Sequence, residues 1–189
     1  MTDWDTFNKN TKDNPPRELY QEAVELIAPH SLCLDVAAGA LVDTKDMLAR
    51  GHRVVAIDSN PSLLNLAEQV GSPSLDPIIS TMEDYEYGVE RFDYINAMFA
   101  LPFIAPEAFG ATFERIVQSL KQGGVFAFHL FGHEDDWYDN PMMTFHTQAE
   151  VEKLVEDLET VKLKEIKDSM AQGDGSLKHW HIFQLIVRK

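Results

Sequence analysis

Two acids, Asp35 and Asp58, stand 23 residues apart near the ends of short apolar runs, SLCLDV (31–36) and RVVAID (53–58). After the first comes a turn of small residues, Ala37 to Ala40, that includes Gly39. Absence of bulk lets a ligand approach the backbone there, together with the N-terminus of the helix that follows. A carboxylate at the end of the next strand can accept both hydroxyls of a ribose. The combination points to a nucleoside-containing ligand.

A second set of residues suits the chemistry of an acceptor. The run VFAFHLF (125–131) places Val125, Ala127, His129 and Phe131 on one strand face. Two readings of His129 stand side by side: a base or orienting group facing the ligand, and a core histidine satisfied by a neighbouring backbone group. The segment beyond it carries His133, Trp137, Tyr138 and His146. Loops of this length are uncommon unless functional, so 132–146 is expected to be a lid; its plainer reading is a solvated loop with Trp137 plugging an apolar gap. His179 and His181 share a face with Phe183, where they can orient an acceptor, while Trp180 points the other way into the core. Histidine and carboxylate are suitable metal ligands, but their spacing matches no ligand motif and no metal is expected.

These residues need a frame to hold them. PPRELYQEAVELIA (15–28) has proline at its opening turn and Leu19, Ala23, Leu26 and Ile27 at helical spacing. Strand 31–36 leads through the turn to a helix that Asp43 or Thr44 can cap and Gly51 closes. Strand 53–58 leads to helix 60–71, with Asn60 as cap and Pro61 at the first position. Strands follow at 76–82 and 92–100, then helix 106–120, the Gly123–Gly124 turn, strand 125–131 and helix 147–158. The runs 161–170 and 178–189, joined by AQGDGSL, read as a hairpin. The pattern predicts one Rossmann-like, doubly wound, three-layer α/β/α domain over 1–189. Its sheet is seven-stranded and mostly parallel, with a C-terminal antiparallel hairpin. In such a sheet the ligand lies over the carboxyl ends of the strands at the switch point, here gathering Asp35 to Leu41, Asp58, Met82 to Asp84, and Asn96 to Phe103.

Composition narrows the function. A net charge of -15, from 16 Lys and Arg against 31 Asp and Glu, repels phosphate backbones, so nucleic acids are poor substrates. No apolar run approaches the length of about 20 needed to span a bilayer. Charged residues throughout the first thirty positions exclude a signal-peptide core, and a cytoplasmic protein without membrane contact is expected. The single cysteine, Cys33, lies inside an apolar run and reads as a buried structural thiol. Oligomeric state is not legible.

LDVAAGALVDTKDMLARGHRVVAIDSNP (34–61) resembles the first two motifs of class I S-adenosylmethionine-dependent methyltransferases, especially the small tellurite-resistance-like branch. FDYINAMFALPF (92–103), LKQGGVFAFHLFG (120–132) and KHWHIFQLIVRK resemble that branch's fourth, fifth and closing strands. The likeness implies S-adenosylmethionine as cofactor, S-adenosylhomocysteine as product and a small-molecule methyl acceptor. It implies that Asp35, Ala37 and Gly39 approach the methionine moiety, Asp58 with Ser59 the ribose, and Met82 and Glu83 the adenine. Asn96 and Ala97, with Phe99, then form the edge where donor meets acceptor. Arg17 is the cation best placed to meet the cofactor's carboxylate, with a surface ion pair as its plainer reading. The N-terminal segment 1–30 would lie over the site, with Trp4 and Phe7 as an aromatic flap or as the rim of the core. Phe99, Trp137, His179 and His181 would meet the acceptor, with His129 and His133 as candidate catalytic residues. The chain departs from the family's turn, Asp-x-Gly-x-Gly-x-Gly, at Ala37 and Leu41; Leu41 either packs inward or crowds the methionine pocket. A nicotinamide-dependent reductase is the weaker alternative, for want of G-x-G-x-x-G. A degenerate domain that only binds ligands or partners is another.

Overall fold

The computed structural model describes residues 4–171 and 177–189. Strands β1 (Leu32–Val36), β2 (Arg53–Asp58), β3 (Leu75–Ile79), β4 (Phe92–Ala97), β5 (Leu120–Gly132), β6 (Phe145–His146), β7 (Glu159–Ala171) and β8 (Leu177–Arg188) form one sheet. Its order is β3-β2-β1-β4-β5-β8-β7, with the two-residue β6 pairing alongside the end of β5. All pairings are parallel except β5 with β8 and β8 with β7. The expected frame is therefore present, with one short extra strand, and the order of strands reverses between β1 and β4. That is where a doubly wound sheet opens a crevice for a ligand. The tip of the β7–β8 hairpin lies outside the described residues.

The helices are α1 (Trp4–Thr11), α2 (Glu18–Val24), α3 (Val42–Ala49), α4 (Ser62–Val70), α5 (Pro106–Ser119) and α6 (Gln148–Leu154). Helix α2 is shorter than 15–28: Arg17, after two prolines, is still extended at φ −67°, ψ 143°, and Glu25 caps the other end. Helix α1 was not expected; its mean character is polar, although Trp4 and Phe7 stand at helical spacing. Helix α6 carries a capping box in which Thr147 and Glu150 satisfy each other's backbone, and it stops at Leu154 rather than 158. Gly123 and Gly124 sit within β5, not between elements: Leu120 pairs with Phe92, and the register then shifts so that Val125 meets Tyr94. A bulge absorbs the extra residues.

The two sheet faces carry different cores. One packs Phe126, Phe128, Phe183 and Leu185 against Phe109 and Phe113 of α5. The other packs Val125, Ala127 and Ile186 against Leu19, Tyr20 and Ala23 of α2, with Cys33 buried among them as expected. Among the described residues, no helix is long and apolar enough to cross a membrane.

Candidate active site

Beyond β1 the chain turns through Ala37, Gly39 and Leu41, all in the left-handed region at φ +53°, +52° and +59°. For alanine and leucine that costs roughly 1 kcal/mol or more each, so the surroundings must hold them. Three backbone donors do so: Ala38 N–H to the Ile57 carbonyl (3.0 Å), Leu41 N–H to the Ala38 carbonyl (2.9 Å), and Gly39 N–H to Asp58 Oδ2 (2.8 Å). The Leu41 side chain is fully buried against Ala56, Leu63 and Ala67, under α4. Ala37 is exposed. Asn8 of α1 rests on the turn, its Oδ1 lying 3.2 Å from where a Cβ on Gly39 would stand.

Beneath the turn lies a buried polar network. Asp35 accepts from Thr44 Oγ1 (2.5 Å) and Asn96 Nδ2 (2.9 Å), and the same Asn96 amide donates to Asp43 Oδ2 (3.2 Å). Asp43 Oδ1 accepts from the Arg17 backbone N–H (3.1 Å), and Asn96 Oδ1 accepts from Tyr94 (3.0 Å). Burial, followed by the charge of Asp43, pushes Asp35 up to about 7; Asp43 is raised as well, again mainly by burial. Two expectations change here. Asp43 and Thr44 do not cap α3, whose N-cap is Leu41, because their side chains turn inward to this network. Asn96 does not offer its amide to a ligand; all its hydrogen-bonding groups are engaged by acids and a tyrosine. Ala97 is buried in the opposite core.

Asp58 is half-buried at the end of β2 and also accepts from Asn60 N–H (2.8 Å), so backbone donors fix its carboxylate in place. Ser59 is exposed beside it. Met82 and Glu83 are half-buried in the turn after β3, where the Met82 carbonyl accepts from Tyr87 and the Glu83 carbonyl from Arg115 (2.6 Å). The side chains of Trp4 and Phe7 lie outside the described residues.

Across the switch point, Arg17, Phe99, His129 and Gln184 line a cleft of about 340 Å³ with Pro15, Pro16 and Leu19. Phe99, left-handed at φ +53°, stacks on His129 (4.1 Å between centroids), and the Arg17 guanidinium lies 4.9 Å from the same ring. His129 is 2% exposed, and its Nδ1 has no hydrogen-bond partner among the described residues. Burial, with a smaller push from Arg17, lowers it to about 3. At neutral pH it is a hydrogen-bonding group with little basicity.

The 132–146 segment is tied to the same edge. Lys178 is buried in an ion pair with Asp135, its ammonium over the rings of Trp180 (3.6 Å), Trp137 (4.3 Å) and Phe131 (5.3 Å). Asp135 also accepts from the N–H groups of Trp137 (3.0 Å) and His181 (3.2 Å), while Thr144 donates to the carbonyls of Pro102 and Ile104. Trp137 is thus half-buried among Phe103, Phe131 and Trp180. His133 sits against Tyr138 (4.7 Å) and near Glu150 (3.9 Å). His179 and His181 fall on the opposite sheet face from His129: Trp180 and Ile182 share the Phe131 side, whereas Phe183 packs in the other core. His181 is fully engaged, with Nε2 on Glu165 (2.8 Å) and Nδ1 accepting from Glu134 N–H (3.1 Å), and His179 lies near Ser169 (3.5 Å). Strand alternation carries both to the sheet face opposite the cleft.

Sequence reasoning missed Gln184, Asn8 and the Lys178–Asp135 pair. Gln184 was recoverable: pairing with His129 across an antiparallel strand puts both on one face. Asn8 carried no signal. Among the described residues, no group of three or more His, Cys, Asp or Glu can hold a metal ion.

Residues 33–124 match the family model of a methyltransferase domain. That span is a little under half of the chain, whose fold is the one seen in solved methyltransferase structures. Among solved structures it is similar to 1,6-didemethyltoxoflavin-N1-methyltransferase from Burkholderia thailandensis, with bound 1,6-didemethyltoxoflavin and S-adenosylhomocysteine. That match has TM-score 0.71, 20% identity, and covers 99% of this chain and 85% of that one. It is similar to TehB from Haemophilus influenzae, with TM-score 0.80, 16% identity, and 98% and 66% of the two chains covered. It is similar also to the N-methyltransferase NodS from Bradyrhizobium japonicum in complex with S-adenosylhomocysteine, with TM-score 0.71, 16% identity, and 100% and 99% covered. A search of the curated proteins finds no match.

Proposed function

We propose that this protein transfers a methyl group from S-adenosylmethionine to a small-molecule acceptor, leaving S-adenosylhomocysteine. The observation that carries the reading is the adjacency of two sites across the switch point. On one side are the left-handed turn Ala37–Leu41 and Asp58; on the other is the cleft of Phe99, His129 and Gln184. The turn fits the methionine end of the cofactor because Ala37 is exposed and the Leu41 side chain is packed away. Asp58, already aimed by Gly39 and Asn60, receives the ribose, with Ser59 beside it and Met82 and Glu83 near the adenine. Asp35 and Asn96 act from below, holding Asp43 and Thr44 at the start of α3.

The sulfonium is an activated donor when bound, so the protein's part is alignment. His129, too weakly basic at neutral pH to accept a proton readily, orients the acceptor. The volume of the cleft and the net charge of -15 favour a small molecule over a nucleic acid. Calorimetric titration with S-adenosylmethionine, S-adenosylhomocysteine and NADH tests the reading. Micromolar binding of the first two alone is expected; binding of neither, or of NADH instead, overturns it.

A further inference from the structure

Arg17 is an anomaly in so acidic a chain. With 31 acids against 16 basic residues, its guanidinium forms no ion pair and donates no hydrogen bond among the described residues, although Asp43 and Asp35 act on its charge from further off. It is held by its ring contact with Phe99, and its backbone is tied to Asp43. An arginine that presents a planar fork of donors without an acceptor is suited to a carboxylate.

Where that fork points decides whose carboxylate it takes. Arg17 lines the cleft together with His129 of β5 and Gln184 of β8. Strands lie about 4.8 Å apart, so β5, two places from β1, stands about 10 Å from the Asp35 strand, and β8 stands further still. The Arg17 backbone is thus tied to Asp43 at the start of α3, while its guanidinium lies over the Phe99 ring at the mouth of the cleft, with Asp43 and Asp35 acting on its charge from below. Gln184 adds an amide, and His129 a neutral imidazole that does not compete for the anion. Pro15, Pro16 and Leu19 supply an apolar wall. Glu18, also at the cleft, discourages a second anionic group.

We propose that the acceptor is a small carboxylic acid whose carboxylate is received by Arg17 and Gln184, its apolar body lying against Pro15, Pro16 and Leu19. This rests on the methyltransferase reading for the word acceptor, and on the cleft alone for the carboxylate. The methionine end of the cofactor bears the same group, so the test must separate the two sources.

Fluorine NMR line broadening of p-fluorobenzoate against p-fluorobenzamide reads the cleft, and calorimetry with S-adenosylhomocysteine reads the cofactor side. The expected result is that the protein, with or without S-adenosylhomocysteine, binds the benzoate at least tenfold more tightly than the benzamide. Arg17→Gln should abolish that preference, Arg17→Lys should restore part of it, and the affinity of either variant for S-adenosylhomocysteine should stay within about threefold. Equal binding of the two probes to the unmodified protein overturns the proposal. So does a tenfold or larger loss of S-adenosylhomocysteine affinity in Arg17→Gln, which assigns the guanidinium to the cofactor's carboxylate. Failure of the unmodified protein to bind S-adenosylhomocysteine sinks the methyltransferase reading, yet leaves the probe preference to be read.

Discussion

The molecule buries charge on both sides of its switch point, by opposite means. Beneath the turn, Asp35 and Asp43 share the amide of Asn96, with no cation's side chain hydrogen-bonded to either. At the other edge, Lys178 and Asp135 neutralise each other inside a ring of aromatic side chains. Like charges held apart by one amide form a poised arrangement, sensitive to protonation; opposite charges sealed among rings form a fixed one. The first underlies the segment expected to meet the cofactor. The second pins the 132–146 segment to β8. One side can change its protonation, and the other holds a wall still.

Breaking the fixed side should cost most. Lys178→Met leaves Asp135 buried without its partner, which should lower stability by about 4 kcal/mol, measured by urea unfolding. Adding Asp135→Leu should recover most of that; a single variant as stable as the parent would show that the pair pins nothing. On the poised side, Asn96→Leu strips two acids of their shared donor and should cost about 3 kcal/mol, with binding of S-adenosylhomocysteine weakened through the turn. Asp58→Ala should weaken the same binding at least tenfold, about 1.4 kcal/mol, by removing an acceptor for the ribose and the partner of Gly39. Unchanged affinity would move the ribose elsewhere.

Asp35 and His129 should also tilt stability in opposite directions with pH. Asp35 is raised from 3.8 to about 7 in the fold, so its contribution is full below pH 3.8 and is lost as pH rises towards 7. His129 is lowered from 6.5 to about 3, so its contribution is full above pH 6.5 and is lost as pH falls towards 3. Melting curves across pH 4 to 8 should show a smaller loss towards neutral pH in Asp35→Asn, and a smaller loss towards acid in His129→Phe. If the variants keep the parent's pH slope, these groups do not titrate as their burial requires.

Legibility followed the range of the interactions. The alternating β and α pattern, and the acids ending β1 and β2, are local signals; they appear in the chain as they do in the fold. The inward turn of Asp43 depends on Asn96, more than fifty residues away, and that of Thr44 on Asp35 across the turn; nothing at helical spacing announces either. His179 and His181 read as site residues by type, but the register of β8 against β5 sends them to the other face, and that register comes from pairing rather than composition. Lys178 looked like one charge at a strand's start, since the cage around it draws on β5, β8 and the segment between β5 and β6. Helix α1 hid behind a polar sequence.

The aromatic ring has one more consequence. Two of the chain's three tryptophans, Trp137 and Trp180, lie with their rings 5.4 Å apart and nearly edge to face. Indoles so close couple their electronic transitions, and one of them stands in the segment after β5 while the other stands in β8. The protein therefore carries its own optical ruler: a paired near-ultraviolet circular dichroism signal that persists while the 132–146 segment is seated and collapses when it lifts, with no label attached.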